Sequence, residues 1–195
     1  AKEPVPSPIS QPSSQQESYS MLKQNGTMWM NQEGQKVSLR GINLGNWLAM
    51  EMWMFGSEAP IGEGVTDQCT LESVLESRFT AQEAEDVLDT FRDNWITGKD
   101  WDVIADSGFN LVRVPFLYDL IENDDVPKTL RDDAWVYLDK AIAEAKARKL
   151  YVVLDLHGAV GRQGDEQHTG CAGKNELWNN VSYQDRTAWL WQQIA

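Results

Sequence analysis

The segment that most constrains this chain is Leu150-Tyr151-Val152-Val153-Leu154-Asp155-Leu156-His157. It is almost continuously apolar and shows no polar alternation, as expected of a strand buried on both faces. Such strands belong to parallel sheets, which need crossover connections, usually helical. Two earlier segments supply partner strands: Phe109-Asn110-Leu111-Val112-Arg113-Val114-Pro115-Phe116, and the shorter Gly41-Ile42-Asn43-Leu44-Gly45.

Helical patterns fill the spaces between them. Thr80-Ala81-Gln82-Glu83 has the form of a capping box, and Ala84, Leu88, Phe91 and Trp95 follow at helical spacing. Asp100 to Ser107 reads as a short helix ahead of Gly108. Leu130 to Lys149 reads as a long one, with Leu130, Ala134, Leu138, Ala141, Ile142 and Ala145 as its apolar stripe and Glu144 and Arg148 as an exposed i,i+4 pair. Ser182 to Ala195 reads as a further amphipathic helix, with Ser182 and Asp185 placed to cap it. Before all of these, Thr27–Met30 and Lys36–Leu39 flank a Gly-containing turn and predict a hairpin.

Alternating strands and helices mean a parallel sheet with right-handed crossovers, either an open doubly wound sheet or a (β/α)8 barrel. Neither G-x-G-x-x-G nor G-x-x-x-x-G-K-[ST] is present, which argues against a dinucleotide or nucleotide fold. Polar residues stand instead at the strand ends. Arg113 lies near the end of the second strand, and Asp155 and His157 close the third, two apart and so on one side. Polar groups at the C-terminal ends of buried strands are the site layout of a barrel enzyme. The competing explanation for each is a satisfied buried polar group.

Composition narrows the function. Lys and Arg number 17 against 30 Asp and Glu, a net charge of −13. That balance disfavours nucleic-acid and anionic-membrane partners, both of which need clustered cations. Apolar residues make up 42%, enough for a packed core. Residues 1–20 hold four of the seven Pro and read as a Pro/Ser-rich disordered tail or linker, leaving 21–195 for the folded domain. No basic-then-apolar signal peptide is present, and the tail hints at a secreted or periplasmic, multimodular protein. Cys69 and Cys171 are the two cysteines, and their spacing leaves pairing open. Two His and no Cys cluster argue against a dedicated metal site, and no cofactor is expected. Among the nine Trp, Trp47, Trp53 and Trp178 are candidate sugar platforms, with core packing the alternative for each.

Three of these segments resemble glycoside hydrolase family 5, and most closely its exo-β-1,3-glucanase type. Arg40-Gly41-Ile42-Asn43-Leu44-Gly45-Asn46-Trp47-Leu48-Ala49-Met50-Glu51-Met52-Trp53 is similar to the family's first strand and loop. Phe109–Pro115 is similar to the second strand, and Leu154–Gln163 to the third strand and its loop. The resemblance runs from about Met28 to Ala195. It implies a (β/α)8 barrel that cleaves β-glucosidic bonds with retention, using two Glu about 5–5.5 Å apart. It places both Glu, at the fourth and seventh strands, beyond Ala195. The chain then carries the first three strands of an incomplete barrel and no catalytic carboxylate of its own.

The resemblance also assigns roles. Arg113 matches the Arg that hydrogen-bonds the nucleophile, His157 lines the subsite of the sugar to be cleaved, and Glu51 grips sugar hydroxyls there. His168 falls near a substrate-binding Asn, and Trp47 and Trp53 join Glu51 as substrate contacts. The family's usual Glu-Pro-Trp is here Glu51-Met52-Trp53. The implied partner is a β-glucan or β-glucoside. An endo-β-1,4-glucanase of the same family and a non-catalytic carbohydrate-binding barrel remain the alternatives. A metal-dependent barrel hydrolase built on Asp155 and His157 lacks further ligands.

Overall fold

The computed structural model describes residues 21–56 and 64–195. The Pro/Ser-rich stretch at residues 1–20 lies outside the described residues. The chain divides into two compact units, Ala1–Ser38 and Leu39–Ala195.

The first unit holds an antiparallel sheet of β1 (Lys23–Asn25), β2 (Met28–Met30) and β3 (Lys36–Val37), in that order. The expected hairpin is the β2–β3 pair, with Trp29 opposite Val37 and Met30 opposite Lys36. Strand β1 is additional. Gly26 at φ +60° turns the chain so that Asn25 lies opposite Met28.

The second unit is built on a parallel sheet of β4 (Gly41–Asn43), β5 (Leu111–Leu117) and β6 (Tyr151–Gly158), ordered β4-β5-β6. Helices α1 (Gln68–Arg78), α2 (Ala81–Trp95) and α3 (Gly98–Asp106) connect β4 to β5. Helix α4 (Val136–Ala147) connects β5 to β6, and α5 (Val181–Ile194) follows. Val112, Val114 and Phe116 are fully buried, and they share one core with Trp101, Leu138, Ala141 and Leu190. Their register partners Val152, Leu154 and Leu156 pack against that core. The opposite face of β6 is only part-covered, and Val153 is 43% exposed. Burial on both faces, expected from the apolar run, is thus met on one face among the described residues.

Several helix limits differ from expectation for identifiable reasons. Helix α4 begins at Val136 rather than Leu130, because Leu130 pairs with Glu122 in an antiparallel bridge and the Arg131 amide donates to the Ile121 carbonyl. Ile142, assigned to the buried stripe, is 43% exposed. Arg148 does pair with Glu144, and it also binds Asp102, so the pair ties α4 to α3. Helix α5 is capped by Asn180, whose side chain accepts from the Ser182 amide, while Asp185 pairs with Lys128. Capping at Thr80–Glu83 is as expected.

Helix α1 is the element that periodicity missed. Its one fully buried residue is polar, Gln68, and its apolar contact is limited to Leu71 and Leu75, which pack part-buried against Met50, Met52 and Leu88. A reciprocal Asp67–Thr70 box starts it. Cys69, in its first turn, is disulfide-bonded to Cys171, with Cα atoms 5.1 Å apart.

One turn further along, Glu72 accepts a hydrogen bond from Gln68 in a recess also lined by Asp119 and Arg92, with the Arg162 charge nearby. Burial, and then the neighbouring Asp119 carboxylate, push its pKa from 4.5 up to about 7, against the pull of Gln68 and the two Arg. A carboxyl whose folded pKa is raised binds more protons folded than unfolded. Its contribution is full below about pH 4.5 and is lost as pH rises through about 7. We expect thermal unfolding of wild type and Glu72→Gln to diverge across that window, by on the order of 5–10 °C in relative Tm. Parallel curves would show that Glu72 titrates normally.

Candidate functional site

Parity along the parallel strands assembles the site. Val112, Val114 and Phe116 take the core face of β5, so Arg113 takes the other. The register sets Arg113 beside Asn43 on β4, and Pro115 beside Asp155 on β6. Arg113 Nη1 donates to Asn43 Oδ1 at 2.7 Å, and its Nη2 lies 2.6 Å from Asp155 Oδ2. His157 Nδ1 lies 2.9 Å from the same oxygen and 3.1 Å from Arg113 Nη2. The Arg113, Asp155 and His157 side chains are 23–40% exposed, enough to meet a ligand.

The shared oxygen decides the imidazole's proton. Asp155 Oδ2 is an anionic acceptor, and Arg113 can only donate. A charge-assisted Nδ1–H···O⁻ bond is stronger than an Arg–imidazole contact, which places the proton on Nδ1 and leaves Nε2 free as an acceptor. Asp155 is thereby engaged by two donors, so it serves as a frame rather than a nucleophile.

A register shift sits at this point. Phe116 pairs with Leu156 and Leu117 with Gly158, leaving His157 as the extra residue of a bulge. Gly158 permits it. A Cβ there would lie 2.5 Å from Leu117 Cδ2 and from the Thr169 carbonyl oxygen. Gln163 then fixes the loop, donating to the His157 carbonyl at 2.6 Å and accepting from the Ala159 amide at 2.9 Å. The loop returns His168 to His157, ring centroids 5.6 Å apart.

Glu51 stands on the loop after β4. Its amide donates to Asn46 Oδ1, and its Oε2 accepts from the Trp53 indole, both at 2.8 Å. Met52, where the family pattern has Pro, is buried with Met50 and Leu88 and anchors the loop by packing. Trp53 is 65% exposed and Trp178 64%. Trp178 donates to the Gln163 carbonyl at 2.9 Å. Trp47 corrects an expectation. It has no exposed surface, donates to the Arg92 carbonyl and packs edge-on against Tyr137, so it holds the core and offers no sugar platform.

The structure therefore brings Arg113, Asp155, His157 and His168 together, and it adds Asn43 and Gln163, which sequence reading did not assign to the site. Register could have found Asn43, since it is the residue of β4 level with Arg113. The Gln163 side chain bonds the Ala159 amide and the His157 carbonyl, and no spacing rule announces that. Among the described residues no group of three or more His, Cys, Asp and Glu is arranged to hold a metal ion.

The family described as Cellulase (glycosyl hydrolase family 5) matches residues 78–195. A beta-xylosidase of Phanerodontia chrysosporium is 31% identical over 176 residues, 89% of this chain and 35% of that protein. A probable glucan 1,3-beta-glucosidase A of Aspergillus clavatus is 36% identical over 140 residues, 71% of this chain and 32% of that protein. The chain thus spans about a third of the length of the curated relatives it matches. In fold it is similar to the crystal structure of a rutinosidase from Aspergillus niger, with TM-score 0.64 and 22% identity over 79% of this chain and 42% of the other.

The hydrogen-bond assignment is open to measurement. Nitrogen-15 spectra of the neutral His157 ring should show Nδ1–H, the less common form of a free imidazole. Asp155→Leu should return the ring to Nε2–H. An Nε2–H signal in the wild type would overturn the assignment.

Proposed function

Because the chain belongs to glycosyl hydrolase family 5, we propose that it is the N-terminal part of a retaining β-glucosidic hydrolase of β-glucans, with exo action on β-1,3 linkages. The observation that carries this is the Asn43–Arg113–Asp155–His157 network, which runs from the last residue of β4 across β5 to the C-terminal half of β6. Its β4 and β6 members lie toward the C-terminal ends of their strands, the end at which barrel enzymes build their active sites. The likeness to glucan 1,3-beta-glucosidase A supports the linkage.

In this proposal residues 21–195 begin a (β/α)8 domain behind a Pro/Ser-rich tail. The acid/base and nucleophile Glu come from sequence after Ala195. Retention requires those carboxyls about 5–5.5 Å apart, one attacking the anomeric carbon while the other protonates the leaving oxygen. Arg113, held by Asn43 and Asp155, presents its fixed charge to the nucleophile and keeps it ionised. His157 Nε2 accepts from a hydroxyl of the sugar to be cleaved. Glu51, oriented by Trp53, accepts from further hydroxyls, and His168 borders the same subsite. Exposed Trp53 and Trp178 offer flat faces to sugar rings. The Cys69–Cys171 disulfide supports an oxidising, extracellular or periplasmic location.

The test uses the complete enzyme on laminarin, pustulan, carboxymethyl cellulose and paired aryl β-glucoside and β-xyloside. We expect glucose release from laminarin ends and preference for the glucoside. Glu51→Ala should lower kcat/KM by about 10²-fold, the scale of losing charge-assisted bonds to a substrate hydroxyl. Preference for the xyloside would move the substrate toward the beta-xylosidase relative. Random internal cleavage of carboxymethyl cellulose would favour the endo-acting alternative.

A further inference from the structure

Three consecutive residues at the start of α1 each bond to a distant segment. Gln68 is 3% exposed, and a buried amide is costly unless both its ends are bonded. Its Oε1 accepts from the Met50 amide and its Nε2 donates to Glu72, both at 2.8 Å. Met50 immediately precedes Glu51. Asp67 uses Oδ1 to cap the helix at Thr70, and Oδ2 to accept from the Ala172 amide at 2.8 Å. Cys69 donates its amide to the Gly170 carbonyl at 2.9 Å, and its sulfur is bonded to Cys171. Gly170 is two residues past His168.

Starting the helix requires only the Asp67–Thr70 pair. Apart from the Gln68–Glu72 bond within the helix, the remaining bonds go to two loops, one carrying Glu51 and Trp53, the other carrying His168. We propose that this turn of α1 is a brace that sets the separation of the two loops, with Gln68 positioning Glu51 and the Cys69–Cys171 disulfide positioning His168. The proposal deepens the glycosidase reading and rests on Glu51 and His168 touching substrate there. Gln68 and the two Cys are positioning residues, since they act through other groups.

Misplacing a substrate-gripping group by a fraction of an ångström weakens sugar binding while the reacting carboxylates remain in place. Gln68→Met keeps the volume and removes both hydrogen bonds. In the complete enzyme, assayed on an aryl β-glucoside, it should raise KM about tenfold with kcat within about threefold. In a Glu51→Ala background the same change should add less than about twofold, because groups that act through one another are not additive. Cys69→Ser with Cys171→Ser should raise KM likewise, and should add little in a His168→Ala background.

A merely structural role predicts loss of active enzyme at unchanged KM, and that result overturns the brace. So does full additivity in either background. If Gln68→Met does not fold, the paired serine variant carries the same measurement. Should Glu51→Ala and His168→Ala both leave KM unchanged, the substrate-binding reading fails and the brace falls with it. Should they raise KM while the α1 variants do not, only the brace fails.

Discussion

In a parallel sheet the face a side chain takes is fixed by its parity along the strand, and neighbours are matched by register. Here that single constraint separates core from site. Even-numbered residues of β5 fill the fully buried layer with Val112, Val114 and Phe116, and the intervening Arg113 has nowhere to go but the opposite face. Register then brings Asn43 level with Arg113, and Asp155 two residues above it. Shifting β6 by one residue would bury Asp155 in the apolar layer and expose Leu154 and Leu156. The hydrophobic cost of that slip is what holds the polar network in its geometry. A bulge at His157 lets one residue depart from strict pairing without breaking the register below it.

Around this frame, buried polar groups do most of the tethering of loops. Trp47 and Trp95 donate their indole N–H groups to the carbonyls of Arg92 and Gly45, so α2 and the loop after β4 are joined in both directions. Glu122, almost fully buried, is matched by Arg186, which docks α5 onto the segment after β5. Removing one partner of such a pair leaves a buried charge uncompensated, whereas replacing both with apolar groups can be neutral. These ties therefore specify which loop lies where more than they add net stability. The disulfide differs in kind, since it restricts the unfolded chain by closing a span of 102 residues.

What the sequence revealed and what it hid follow from the same physics. The three strands were legible because apolar runs report burial directly. Helix α2 was legible because a capping box and an apolar stripe coincide. Helix α1 was hidden because its fully buried residue is Gln68 and its apolar contact is the short Leu71–Leu75 pair, too little for periodicity to register. Strand β1 was hidden because Lys23–Asn25 is polar and exposed throughout. At the site, His157 could be assigned from its strand end, and Arg113 from its polar place in an apolar strand, although β5 runs on to Leu117 rather than ending near Arg113; the buried state of Trp47 could not. A Trp next to a binding loop reads the same whether its ring faces sugar or core, and its Arg92 partner lies 45 residues away.

The charged groups of this network are suited to binding or holding rather than to bond cleavage. Arg113 is a permanent cation already fixed by two acceptors, His157 has one nitrogen committed to Asp155, and Asp155 has a single oxygen meeting two donors. A nucleophile needs a carboxylate free to approach an anomeric carbon, and an acid needs a proton to give. Asp155 satisfies neither condition while the network stands. In the proposed enzyme the hydrolytic step would be carried by carboxylates outside this network. The three strands here would fix where the sugar sits and keep the attacking group charged. That division places preorganisation in the part of the sheet with the most constrained register, where rotamers are locked by neighbouring strands and positional error is smallest.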